Sequence, residues 1–158
     1  MTKGKTPNSR TNLEKAIDRI CKDEGTDPFR TKRLLASVIV GQMLPDGAAK
    51  GGNALKIRFG NAATRFSQDL DTARASSLED YISHLRERPE EGWNGFTGTV
   101  VEKDAPSPEG VPAAYIMQPF EVKLSYNQKI GVEAALKATT VPAHKKGHTT
   151  YRVPKLVP

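Results

Sequence analysis

The stretch that most constrains this chain runs from Lys50 to Asp71, KGGNALKIRFGNAATRFSQDLD. It closes on two aspartates, Asp69 and Asp71, separated by the single apolar residue Leu70. In an extended strand alternate side chains share a face, so both carboxylates point the same way while Leu70 points into a core. That is one way to build a divalent metal site. Two carboxylates on one strand face suit Mg²⁺, a hard ion that takes one or two carboxylates plus waters and substrate phosphates.

The other end of the stretch suits phosphate. Gly51 and Gly52 bring backbone N–H groups close to an anion with no Cβ in the way, and Asn53 caps a short helix predicted over Ala54 to Phe59. Lys56, Arg58 and Arg65 stand near enough in sequence to neutralise a triphosphate, although a solvated helix face explains Lys56 and Arg58 equally well.

A Gly-Gly pair, a polar residue, Ala-Leu, a basic helix and an apolar-flanked Asp-x-Asp within about twenty residues resemble the signature of the DNA polymerase β-like nucleotidyltransferases. The string KGGNALKIRFG…RFSQDLD looks most like the AbiEii/AbiGii group, nucleotidyltransferase toxins of bacterial toxin–antitoxin pairs. GWNGFTGTV followed by FEVKLSY also resembles the strand region after the metal pair, so the likeness covers roughly Asn12 to Leu136. The resemblance implies an α+β fold with a small mixed sheet backed by helices, Mg²⁺ as cofactor, an NTP as substrate, an RNA such as tRNA as acceptor, and a cognate antitoxin as partner. Asp69 and Asp71 would ligate the metal, and Gly51, Gly52, Asn53, Lys56 and Arg65 would hold the nucleotide. The pattern expects a third carboxylate on a later strand. Glu121 in PFEVKLSY and Glu133 in IGVEAAL are the candidates, and Glu133, on the strand after a turn, has the more usual place. Family members commonly continue into a helical domain with a further lysine and aspartate. The alternative implied by its absence is an inactive nucleotide- or RNA-binding relic.

Composition narrows the class further. The chain has 158 residues, enough for one domain with a real core, and a formal charge of +6 that favours an anionic partner. No acid follows Glu133, whereas Lys137, Lys145, Lys146, Arg152 and Lys155 all do, so much of the excess lies in the tail. One cysteine, Cys21, excludes an intramolecular disulfide and a cysteine metal cluster. No apolar run approaches the roughly 18 residues that span a bilayer, and MTKGKTPNSR lacks a signal-peptide core, so the expected location is cytoplasmic, with no membrane partner.

The remaining pattern gives the order of elements. Residues 1–11 read as disordered, 12–137 as the core domain and 138–158 as a basic flexible tail. Leu13, Ala16, Ile17, Ile20 and Cys21 recur at helical spacing before Gly25, and Phe29, Leu35, Val38, Ile39 and Met43 do so between Asp27-Pro28 and Pro45. Short strands are predicted at Ala48 to Lys50 and Arg65 to Thr72. Ser76 with Glu79 reads as a capping box for a helix ending at Arg88 before Pro89. Strands follow at Gly95 to Lys103, Ala114 to Tyr126 and Lys129 to Lys137. His144 and His148 lie four apart without helical pattern or acidic neighbour, a poor zinc site, and Trp93, Phe96, Tyr115 and Tyr126 read as core or edge aromatics.

Overall fold

Helix α1, Arg10–Glu24, starts where Ser9 accepts a hydrogen bond from the Asn12 N–H at 3.3 Å and ends at Gly25, whose φ of 61° is the left-handed stop that glycine adopts without strain. It begins two residues earlier than the apolar spacing predicts, because the cap and not the first apolar residue sets the start. The predicted disordered segment is thus partly ordered: among the described residues, Pro7 accepts a hydrogen bond from the Tyr126 hydroxyl. The computed structural model describes residues 6–50, 69–74, 76–112, 116–127 and 129–139, with 47–50, 74 and 129–139 described by their backbone alone.

Helix α2, Pro28–Met43, carries the expected cap, Asp27 accepting from the Arg30 N–H at 2.9 Å with proline at the first helical position. Leu44, forced toward extended backbone by the following Pro45, ends it at φ −65° and ψ 146°. Phe29 does not join the apolar face as its spacing suggested. It is 59% exposed, with the Arg33 guanidinium 5.5 Å from its ring centre.

Helix α3, Leu78–Glu91, differs from its predicted form at both ends. Its cap is Ser77, not Ser76: the Ser77 hydroxyl accepts from the Asp80 N–H at 3.1 Å and donates to the Asp80 carboxylate at 2.7 Å. The helix also runs through Pro89, where a stop was expected. Pro89 is fully buried, and the Gly92 N–H closes the last turn on the Arg88 carbonyl at 3.0 Å. Packing therefore overrides the local cost of the ring. Strand β3, Phe96–Glu102, makes room for it, since a Cβ at Gly98 would lie 3.1 Å from Pro89 Cβ and 3.1 Å from Val122.

The other strands are β1, Gly47–Lys50; β2, Asp69–Arg74; β4, Met117–Tyr126; and β5, Lys129–Thr139. They form a five-stranded sheet in the order β1-β2-β5-β4-β3, with β2 and β5 parallel and the other pairs antiparallel. Strand β5 continues through Ala138 and Thr139, which the sequence assigned to the tail. Phe120, Val122, Leu124 and Tyr126 alternate inward along β4. They meet Ala36, Val40 and Met43 of α2, Leu70 of β2, and Tyr81 and Leu85 of α3 in one core. The architecture is α+β, as expected: a mixed sheet with helices packed on its Leu70 side.

Candidate functional site

Burial along β2 alternates as an acid-bearing strand requires. Leu70 and Thr72 are 1% and 2% exposed, whereas Asp69 and Asp71 on the opposite face are only half-buried. Their Cα atoms lie about 6.7 Å apart along the strand. Beneath them, on the core side, the Thr72 hydroxyl lies 2.9 Å from the Tyr81 hydroxyl of α3. This contact ties the strand carrying the acids to the helical layer.

The sheet register places other residues on the acid face. Asp69 pairs with Ala135 of β5, which pairs in turn with Glu121 of β4. Asp71 pairs with Lys137, and Glu133 pairs with Lys123. Directly paired residues share a face. Glu121 therefore stands two strands from Asp69, about 9.5 Å away between Cα atoms, and Glu133 is one strand over and two residues along, about 8 Å away.

Glu121 is held by two cations. Its two oxygens lie 2.7 Å from Lys103 Nζ and 3.5 Å from Lys123 Nζ. The hydrogen bond from Lys103 is the main reason its carboxyl sits below the usual range; both lysine charges add to the effect and partial burial opposes it. Glu121 and Lys123 share a face by simple alternation in FEVK, so that pair was visible in the sequence. Lys103 was not, because it reaches Glu121 only through the pairing of β3 with β4.

Of the other expected site residues, Gly51, Gly52, Asn53, Lys56, Arg58 and Arg65 lie outside the described residues, as do the predicted helix at 54–59, strand positions 65–68, and His144 and His148. For Glu133 the backbone alone is described. Two carboxylates on one face are a hard-oxygen donor set that fits Mg²⁺. Among the described residues, no group of three His, Cys, Asp or Glu residues is gathered closely enough to hold a metal. Among the same residues, no helix is long and apolar enough to cross a membrane. Phe96 and Tyr126 pack ring to ring at 4.5 Å, as the core or edge aromatics they were expected to be.

No protein-family model matches the chain, and neither does the sequence of any curated protein. A crystal structure described as that of a candidate nucleotidyltransferase from H. pylori is similar at a TM-score of 0.38 and 18% identity, over 73% of this chain and 46% of that one. JHP933 from Helicobacter pylori is similar at a TM-score of 0.33 and 18% identity, over 68% of this chain and 40% of that one. The chain spans less than half the length of either structure, and superpositions this loose carry no functional weight.

Proposed function

We propose that the chain is a Mg²⁺-dependent nucleotidyltransferase with a polymerase β-like core, of the AbiEii/AbiGii toxin type, moving a nucleotide from an NTP to an RNA acceptor such as tRNA and restrained by a cognate antitoxin. The observation that carries this reading is the placement of Asp69 and Asp71 on one half-buried face of a strand whose other face, Leu70 and Thr72, is locked into the core. Such a strand holds two carboxylates at fixed separation without loop entropy to overcome.

In this reading Asp69 and Asp71 hold the ion, which when bound offsets charge on the β- and γ-phosphates. Backbone N–H groups of Gly51, Gly52 and Asn53 cradle the triphosphate, and Lys56 and Arg65 neutralise it. Glu133 is the third carboxylate. Glu121 is the weaker choice because both its oxygens are engaged by lysines; by register Glu133 is the nearer of the two to Asp69, and Glu121 the nearer to Asp71. The acceptor hydroxyl gives up its proton to solvent as it attacks the α-phosphorus, the bond to the bridging oxygen breaks, and pyrophosphate leaves.

Equilibrium binding of each NTP, with and without Mg²⁺, tests the site. The expected result is binding strengthened by Mg²⁺, with that gain lost in Asp71→Ala. Binding indifferent to both the ion and the substitution contradicts the proposal.

A further inference from the structure

On the helical side of the sheet, away from the acid face, a cavity of about 460 Å³ lies between α1, α2 and strands β3 and β4. Leu13, Ile17 and Ile20 of α1, Ile39 of α2 and Leu124 of β4 line it with hydrocarbon. Protein interiors are ordinarily packed with few voids larger than a water molecule. This one exists because α1 contributes no residue to the central core and rests mainly on α2. Its volume falls in the range of small-molecule pockets, about 300–1,000 Å³, and it opens to solvent beside Ile20, which is 41% exposed, so an apolar guest can enter.

The polar lining identifies the guest further. Arg10 and Glu14 neutralise each other across 3.0 Å. Lys32, partly buried at the cavity, makes no ion pair among the described residues. Lys32 is thus the cation of the lining with no carboxylate paired to it among the described residues. We propose that this cavity binds a monoanionic amphiphile: an apolar body of about ten carbons with one carboxylate set against Lys32. The proposal is independent of the nucleotidyltransferase reading.

Calorimetric titration of the full chain with decanoate, and with decanol as the uncharged match, tests it. Decanoate should bind saturably with one site per chain, and Lys32→Gln should weaken it about tenfold while leaving decanol unchanged. Leu13→Trp, which fills the cavity, should abolish both, with its fold checked by circular dichroism. The comparison of the two ligands on Lys32→Gln stands alone if the tryptophan variant fails to fold. Absence of saturable decanoate binding overturns the proposal, as does an affinity that Lys32→Gln leaves unchanged or lowers equally for the two ligands.

Discussion

The Thr72 hydroxyl of β2 meets the Tyr81 hydroxyl of α3 at 2.9 Å, with both residues almost completely buried. The pair joins the acid-bearing strand to its helical support in surroundings that are otherwise apolar. Thr72→Val keeps the side-chain shape and removes the partner of the Tyr81 hydroxyl, which costs about 1–3 kcal/mol. Urea unfolding should show that loss. The double variant Thr72→Val/Tyr81→Phe should cost less than the sum of the two single changes, since no buried hydroxyl of the pair then remains. Strict additivity would show that the contact contributes nothing.

Burial raises the Tyr81 hydroxyl above its ordinary range, with the Thr72 hydrogen bond pulling weakly the other way. A group whose folded-state pKa is raised favours the folded state below its unfolded value. Stability is therefore fully present below about pH 10 and falls as pH rises toward the folded-state value, because the unfolded chain ionises first. Thermal melts of the wild type should drop above pH 10 more steeply than those of Tyr81→Phe. Parallel alkaline curves would contradict this account. Tyr126, also raised by burial, contributes to the part of the decline that both proteins share.

Glu121 works in the opposite sense. Its carboxyl is depressed, chiefly by Lys103, so its contribution is present above the unfolded value near pH 4.3 and is lost as pH falls through the lower folded-state value. The melting-temperature gap between wild type and Glu121→Gln should be largest near neutrality and close in acid. The gap should also shrink in high salt, because the pair is open to solvent.

The cap of α3 separates two adjacent serines. Ser77→Ala removes the hydroxyl that accepts from the Asp80 N–H and should cost about 1 kcal/mol, whereas Ser76→Ala should be nearly neutral. Chemical denaturation of the two variants side by side decides it, and equal losses would count against the assigned cap.

At the end of the same helix Gly92 has φ of 82°, and a Cβ there would strike the Phe96 carbonyl oxygen. Gly92→Ala combines strain at positive φ with a backbone clash, so a loss of at least about 1–3 kcal/mol is expected. A variant as stable as wild type would show that the turn after Gly92, in which the Trp93 N–H donates to the Phe96 carbonyl at 2.7 Å, adopts another form.

These elements show how far local sequence carries the fold. The end of α1 and both ends of α2 were legible because Gly25, Asp27-Pro28 and Pro45 act through neighbouring backbone, whereas the start of α1 was set by the Ser9 cap. So was the two-faced nature of β2, which needs only the alternation around Leu70. The α3 cap was ambiguous because Ser76…Glu79 and Ser77…Asp80 share one spacing, and Pro89 misled because its burial under Gly98 depends on β3 folding back against the end of the helix, which helical propensity alone does not show. Likewise, nothing local says that β5 inserts between β2 and β4. That insertion brings Glu133 nearer to Asp69 than Glu121, while the β3–β4 pairing brings Lys103 to Glu121.

Nucleotide transfer by Asp69 and Asp71 is tested by following label from each α-labelled NTP to total tRNA in the presence of Mg²⁺. Wild type is compared with Asp69→Ala/Asp71→Ala, and Glu133→Gln with Glu121→Gln. Wild type should transfer label from at least one NTP and the double aspartate variant none, with a large loss in Glu133→Gln and near-normal transfer in Glu121→Gln. Transfer that survives removal of both aspartates, or no transfer by a wild-type chain that binds NTP and Mg²⁺, would contradict the proposed mechanism; the second result would leave a nucleotide-binding relic.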